Sequence, residues 1–246
     1  TPSQRITIRS AVPRQAVVDG SEVINSNWTQ CISASDCGNN PNWQNIYYTN
    51  IPSNILTIFT PLYQDDKFRW LAQDPNPSDF FNFDSIADFR VIPLNDSIIK
   101  INRTSLTDPR IFTQTDPNYW NGASVAIWRI PNVVSYMEIR NFDPITHTIY
   151  FDDVGGDLYN THDGAYALLN HASLIDIPGE MIYDNISQRM YLWPYSNPSQ
   201  SEFTLARRTM GIYTQGYSNL VVDGFKTQKQ YSGVDWWSQG SGISPG

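Results

Sequence analysis

Val17-Val18-Asp19-Gly20, near the start of the chain, recurs as Val221-Val222-Asp223-Gly224 near its end. Two β-branched residues followed by Asp-Gly are typical of a short strand that ends in a tight turn, which is how one coil of a parallel β-solenoid closes a side. The sequence between the copies is unlike them and has no period of about 20–50 residues. We therefore expect a solenoid interrupted by a large inserted β-domain, with Val18 and Val222 in connected sheets. An uninterrupted solenoid is the alternative.

Strand-like segments occur along the whole chain. Polar and apolar residues alternate at period two, as in half-buried strands, at 5–9, 97–101, 124–128 and 135–140, and further short strands are expected at 148–151, 189–193 and 219–222. The best helix candidate is Asp163–Leu174, where Ala165, Leu168 and Leu169 could share one face. An extended conformation for 166–169 fits equally well.

The composition favours an all-β protein. Of the 24 acidic residues 20 are Asp, and of the 16 basic residues 12 are Arg, so Glu and Lys, which usually fill exposed helix faces, are scarce. Asn is abundant, and aromatic residues reach 13%. We expect more than about 35% strand and less than about 10% helix, against a usual helix content of about a third.

The charge excludes some classes of partner. The net charge of −8 and the pI near 4.7 argue against a protein that binds nucleic acid or an anionic membrane. No segment approaches the length of about 18 uncharged apolar residues that a membrane-spanning helix needs.

Several short motifs resemble one family. Residues 6–9 followed by 16–21 resemble the opening coils of secreted right-handed parallel β-helix proteins of the carbohydrate-active kind, which include glycoside hydrolases and polysaccharide lyases. Within one branch of that family, 68–76 is similar to an "ARWPN"-like segment, and 176–184 is similar to "D-x-PGEW-x-x-D". Two further stretches match in the same order, Leu192-Trp193-Pro194 to an "LY-x-P" strand and 216–225 to the segment where the helix resumes.

The resemblance implies an extracellular protein in which residues 1–24 and 204–246 form parallel β-helix coils. Residues 25–203 would form an inserted, antiparallel, β-sandwich-like domain. The first strand of the family and the many coils that normally follow are missing, so the chain is expected to be the N-terminal portion of such a protein. Most of the active-site surface would then lie beyond Gly246.

Cys31 and Cys37 are the only cysteines, and a short loop containing Ser, Asp and a following Gly can bring two Cα atoms within bridging range. A disulfide is favoured in an acidic, secreted-looking chain, and two free thiols are the alternative. The three His residues have no ligand spacing with this pair, so a zinc site lacks support.

Four carboxylates fall in one glycine-containing loop: Asp152, Asp153, Asp157 and Asp163. Oxygen ligands on a flexible loop suit calcium, although the spacing is not that of an EF-hand. The alternative is a solvated turn in an Asp-rich protein.

Asp235, Trp236 and Trp237 are the candidate glycan-binding residues. Indole rings match the apolar CH faces of sugars, and a carboxylate can orient a hydroxyl. Strand residues alternate between faces, so one ring is expected to be buried and the other exposed. Packing of both rings is the alternative. Because the chain carries −8, neutral glycans are expected to bind better than uronates.

No catalytic motif is present in this chain. Glycoside hydrolysis needs a pair of carboxylic acids, and the four Glu residues share no motif. Two functions therefore remain. The first is polysaccharide binding or cleavage by a carbohydrate-active β-helix protein. The second is a noncatalytic extracellular structural or adhesive role, in which open solenoid ends stack to form filaments.

Overall fold

A computed structural model describes residues 4–25, 27–52, 57–78, 88–131, 133–158, 161–231 and 241–244. Strands make up 41% and helix 7%, which confirms the all-β prediction. The helical segments are 3₁₀ turns at Ala34–Cys37, Trp43–Asn45, Ala172–Leu174 and Pro198–Gln200. None of the helices in these ranges is long and apolar enough to cross a membrane.

The strands are numbered in chain order. The first twelve are β1 (Ile6–Arg9), β2 (Val17–Asp19), β3 (Ser21–Val23), β4 (Thr29–Gln30), β5 (Tyr47–Asn50), β6 (Leu62–Gln64), β7 (Lys67–Phe68), β8 (Trp70–Leu71), β9 (Gln73–Asp74), β10 (Arg90–Ile92), β11 (Lys100–Asn102) and β12 (Ser105–Thr107). The others are β13 (Ser124–Ile130), β14 (Val133–Asp143), β15 (Thr148–Phe151), β16 (Gly164–Leu169), β17 (Glu180–Asp184), β18 (Arg189–Leu192), β19 (Phe203–Ala206), β20 (Met210–Tyr213), β21 (Leu220–Asp223), β22 (Lys226–Gln228) and β23 (Ser241–Ser244).

The chain divides into two compact units. Unit 1 comprises residues 1–27, 52–69 and 196–246, and unit 2 comprises 28–51 and 70–195. Unit 1 thus takes in 25–27, 52–69 and 196–203 in addition to the two terminal segments expected from the sequence. The boundaries between the β-helix coils and the inserted domain, expected at 24/25 and 203/204, stay a prediction.

In unit 1, strands near the two ends of the chain pair in parallel. β1 pairs with β21, β2 with β22 and β20 with β23, each as a two-stranded sheet. Val222 lies opposite Ile8 and Val18 lies opposite Thr227, so the two valines are in separate sheets. The expectation of connected sheets is therefore wrong, because each copy of the repeat pairs with a different strand. Parallel pairing is what stacked coils require, but a right-handed β-helix is not shown, and most strand pairings between the described residues are antiparallel.

A buried lysine joins the parallel strands of unit 1 to its antiparallel sheet, which has the order β3-β19-β6-β7. The side chain of Lys229, just after β22, is 8% exposed and forms an ion pair with Asp66. Its ammonium also donates to the Thr204 hydroxyl at 3.1 Å and lies 5.1 Å from the centre of the Tyr63 ring. A buried ammonium needs such partners to offset its lost hydration.

Unit 2 contains two larger sheets. An eight-stranded sheet has the order β10-β16-β13-β14-β15-β12-β11, with β9 also pairing β16, and a five-stranded sheet has the order β4-β5-β18-β17-β8. Val125 and Leu168 of the first sheet belong to the same buried cluster as Ile182 and Tyr191 of the second. Both sheets therefore contribute to one hydrophobic core.

The segment considered for a helix is a strand, β16. Its residues Tyr166–Leu169 are all buried, and β16 lies between β13 on one side and β10 and β9 on the other. A strand that is covered on both faces has a continuous apolar run rather than alternation, which explains why periodicity could not separate it from a helix. The extended interpretation is the one confirmed.

Candidate functional site

A cavity of about 510 Å³ opens in unit 2. It is formed by the segment between β10 and β11, by β11 and β12, by the end of β13 and by residues just before β16. Pockets of about 300–1,000 Å³ are the size that usually holds small ligands. Of the residues the structure describes, those around this cavity are the best candidates for a binding site.

Buried apolar side chains stand among the mostly polar residues that line the cavity. Ile99 and Ile127 are buried, and Trp128 packs edge-on against Phe89 with ring centres 5.5 Å apart. The Trp128 Nε1–H is buried and has no hydrogen-bond partner. An unsatisfied buried donor costs about 1–3 kcal/mol.

An irregularity in strand pairing occurs where Trp128 and Arg129 line the cavity. The register between β13 and β14 shifts between Trp128 and Ile130, which is a β-bulge or a similar irregularity. Bulges turn side chains away from their regular alternation and often occur near sites. The Arg129 guanidinium is then held by Nε donating to the Ser135 hydroxyl at 3.1 Å and Nη1 donating to the Asp157 carbonyl at 3.0 Å.

Two cations and one carboxylate line the cavity, together with His162. Lys100 is exposed on β11, and its ammonium has no hydrogen bond or ion pair with any described residue. Asp96 Oδ1 accepts the N–H groups of Ile98 at 2.7 Å and Ile99 at 3.0 Å, which lowers the pKa of Asp96 and keeps it ionised. These residues are not among the site candidates from the sequence, and the strand expected at 97–101 begins only at Lys100 in the structure, where β11 is Lys100–Asn102.

The described residues that line the cavity include one carboxylate. Asp96 is the only carboxylate among the described residues that line it. Glycoside hydrolysis by the usual route needs two carboxylic groups. The lining residues therefore provide polar groups, two cations and one carboxylate.

Three of the four Asp carboxylates proposed for calcium have other partners in the structure. Asp152 pairs with Arg140 at 2.9 Å and Asp153 with Arg103 at 2.7 Å, while Asp163 Oδ1 accepts the Leu94 N–H at 2.9 Å. The main-chain carbonyl of the fourth, Asp157, accepts the Arg129 bond described above. No three His, Cys, Asp or Glu side chains of the described ranges converge as they would around an ion. Calcium binding stays an untested expectation.

Cys31 and Cys37 form a disulfide with Cα atoms 6.1 Å apart, which confirms the predicted pairing. The Ser33 side chain accepts the Asp36 N–H, and Gly38 ends the turn at φ 59°. Both cysteines are buried in the core of unit 2. The loop is therefore anchored at both ends by the bridge.

Glu180, in the segment 176–184 that resembles "D-x-PGEW-x-x-D", is a structural residue. It is fully buried, and its Oε2 accepts the N–H groups of Asp176 at 2.8 Å and Ile177 at 3.2 Å. Burial raises the pKa of Glu180 to about 8. Its oxygens hold the preceding turn in place.

Asp235, Trp236 and Trp237 lie outside the described residues, so their role in glycan contact stays a prediction.

Comparisons with known proteins identify a fold but no family. No protein-family model matches the chain, and no curated protein matches it. A solved structure described as a glycoside hydrolase is similar with a TM-score of 0.59 and 14% identity. The match covers 94% of this chain and 38% of that one, so this chain spans well under half of its neighbour. At this identity the likeness shows a shared fold alone.

Proposed function

We propose that this chain is the N-terminal portion of an extracellular carbohydrate-active protein, built from right-handed parallel β-helix coils and an inserted β-domain, and that it contributes to polysaccharide binding. The observation that carries the proposal is the likeness to a glycoside hydrolase, which extends over 94% of the chain. The parallel pairing of terminal strands in unit 1 supports the coil assignment. The buried disulfide is compatible with secretion.

Whether the whole protein cleaves a glycosidic bond depends on residues not identified in this chain. The resemblance noted in the sequence implies that catalytic groups lie mainly in later coils. Binding is therefore the activity that this chain can be tested for directly.

A noncatalytic structural role is the second candidate, and the exposed strand β1 favours it. β1 pairs with β21 on one edge, and no other strand of the described residues pairs with it. Its apolar residues Ile6 and Ile8 are 50% and 48% exposed. An unpaired apolar edge can add a strand from a second copy, which would extend the protein into a filament.

Affinity electrophoresis separates these functions. The chain is run in native gels that contain neutral or acidic polysaccharides, and retarded migration in at least one glycan is the expected result. Trp236→Ala and Trp237→Ala should reduce retention in neutral glycans. Tyr217→Ala is the matched control, because Tyr217 is an aromatic residue that is 70% exposed outside the proposed site.

The opposite result is equally clear. Unretarded migration in every glycan would contradict the proposal. If sedimentation then also showed concentration-dependent polymers, and if Ile8→Lys dispersed them, the structural role would be favoured instead.

A further inference from the structure

We infer that Asn121 is a site of spontaneous deamidation, at which the side-chain amide becomes a carboxylate and part of the product carries an isoaspartyl linkage. The inference is independent of the proposed function, because it concerns the peptide chain itself and not a ligand. It assigns to unit 2 a modification site whose isoaspartyl product disturbs a buried hydrogen bond.

The fold places a glycine directly after an exposed asparagine. Asn121 and Gly122 lie in the turn that precedes β13, and they form the only Asn-Gly pair in the sequence. Gly122 has φ 80°, a backbone conformation that residues with a Cβ rarely adopt. The turn therefore requires glycine, and a glycine without a Cβ leaves its N–H accessible to the preceding side chain.

The two groups that react are only weakly restrained. Asn121 is exposed, and its Nδ2 donates to the Asn118 side chain at 3.3 Å on the surface. The N–H of Gly122 has no hydrogen-bond acceptor in the part of the chain that the structure describes. Exposed side chains change rotamer within nanoseconds, so Asn121 can bring its Cγ to the Gly122 nitrogen.

The reaction consumes only water. A base in the solvent removes the proton of the Gly122 N–H, and the nitrogen attacks Asn121 Cγ. The Cγ–Nδ2 bond then breaks, and Nδ2 takes up a proton and leaves as ammonia. Water opens the resulting five-membered succinimide at one of its two carbonyl carbons. Opening at Cγ gives aspartate, and opening at the main-chain carbon gives isoaspartate, in which the chain runs through Cγ.

The isoaspartyl product changes the backbone next to a buried hydrogen bond. The Gly122 carbonyl accepts the Nδ2–H of Asn170 at 3.1 Å, and Asn170 is only 2% exposed. An isoaspartyl linkage lengthens the backbone by one carbon directly before Gly122, and we expect this to move the carbonyl away from Asn170. A buried N–H that loses its acceptor destabilises the fold. Aspartate keeps the backbone length and adds only an exposed charge.

Peptide mass spectrometry of the purified chain after incubation at mildly alkaline pH tests the site. The peptide that contains Asn121 should gain the mass difference between an amide and an acid, and isoaspartate methyltransferase should label part of it. Asn121→Gln should lose this gain, because glutamine must form a larger ring. Asn118 and Asn185 are internal controls, since both are exposed and precede residues with a Cβ, and they should remain amides.

Thermal unfolding tests the effect on the buried hydrogen bond. The isoaspartyl form, isolated by ion exchange, should unfold about 2–4 °C below the unmodified chain, as expected for one lost hydrogen bond. Asn121→Asp is the matched control, because it has the added charge with a normal backbone, and it should unfold at the temperature of the unmodified chain. In the Asn170→Ala background the isoaspartyl form should lose its additional effect.

An unreacted Asn121 would overturn the inference. If the chain unfolded in urea deamidated there while the folded chain did not, the folded turn would protect the amide and the assignment would equally fail. Conversion of Asn118 or Asn185 at the same rate would show that Gly122 does not direct the reaction. Equal unfolding temperatures of the isoaspartyl form and Asn121→Asp would contradict the disturbance of Asn170.

Discussion

The side-chain amide of Asn170 hydrogen-bonds both main-chain groups of Tyr183. Its Oδ1 accepts the Tyr183 N–H at 2.8 Å, and its Nδ2 donates to the Tyr183 carbonyl at 2.9 Å. Nδ2 also donates to the Gly122 carbonyl at 3.1 Å. Asn170 follows β16 of the eight-stranded sheet and Tyr183 lies in β17 of the five-stranded sheet, so one buried side chain ties the two sheets of unit 2 together.

Replacing Asn170 tests this connection. Asn170→Asp keeps an acceptor and loses the donor, and it should lower the free energy of unfolding by about 1–3 kcal/mol. Asn170→Ala loses both the donor and the acceptor and should lower the free energy of unfolding further. Asn39→Ala is the control, because Asn39 is exposed and has φ 61°, close to the 56° of Asn170. Urea unfolding should show a smaller loss for the control, and equal losses would contradict the role assigned to the amide.

The repeated Val-Val-Asp-Gly shows how far the sequence could predict the fold. It correctly indicated short strands and tight turns near both ends. Its two glycines are needed for different reasons, however. A Cβ on Gly20 would lie 2.6 Å from the Lys229 carbonyl oxygen, whereas Gly224 has φ 75°. The two copies of the same four residues therefore lie in different structural environments. This is why the similarity between the copies did not predict which strands they pair with.

Gly38 is a second position where only glycine fits. It has φ 59°, and a Cβ there would lie 2.5 Å from the Ala172 Cβ. Gly38→Ala should lower the free energy of unfolding by about 2–4 kcal/mol through backbone strain and overpacking. Gly155→Ala has a similar φ of 77° and nothing within 4 Å, so it should cost only about 1–2 kcal/mol. Equal costs in thermal unfolding would argue against the clash with Ala172.

The disulfide should stabilise unit 2 despite its short loop. Cys31→Ser with Cys37→Ser removes a crosslink between residues six apart in sequence, and loop entropy predicts a loss of about 2 kcal/mol. Urea unfolding with and without reductant measures this loss of stability. Alkylation of the denatured, unreduced chain provides the check, since labelling of two thiols there would refute the bridge.

The candidate site was less predictable than the fold. Lys100 and Trp128 come from β11 and β13, which are far apart in the sequence, and the irregular register at the end of β13 cannot be seen in an alternating pattern. The preference for neutral glycans, expected from the net charge, stays a prediction. The two cations that line the cavity, Lys100 and Arg129, come together only in the folded structure.

Glu180 makes stability depend on pH in a direction opposite to that of most surface carboxylates. Burial raises the pKa of Glu180 to about 8. The hydrogen bonds that Glu180 accepts from backbone N–H groups lower this pKa, but by less than burial raises it. Because the folded pKa lies above the ordinary value near 4.5, the folded state binds a proton that the unfolded state releases. The contribution of Glu180 to stability is thus complete below about pH 4.5 and is lost as pH rises through about 8.

A second group, the partly buried His171, titrates in the opposite sense. It packs 5.0 Å from the rings of both Tyr119 and Trp120, and burial lowers its pKa to about 4. The unfolded histidine takes up a proton below its ordinary value near 6.5, so stability is lost as pH falls from there toward about 4. Any test of Glu180 must therefore compare two proteins at each pH, so that the effect of His171 cancels.

Glu180→Gln provides that comparison. The amide oxygen can still accept the N–H groups of Asp176 and Ile177, but the side chain no longer ionises. The unmodified chain should lose about 3–5 kcal/mol of unfolding free energy relative to Glu180→Gln between pH 5 and pH 9, measured by urea unfolding at several pH values. At pH 4, where Glu180 is protonated in both states, the two proteins should differ by less than about 1 kcal/mol. A difference that stays constant across this range would show that Glu180 does not change its protonation on unfolding.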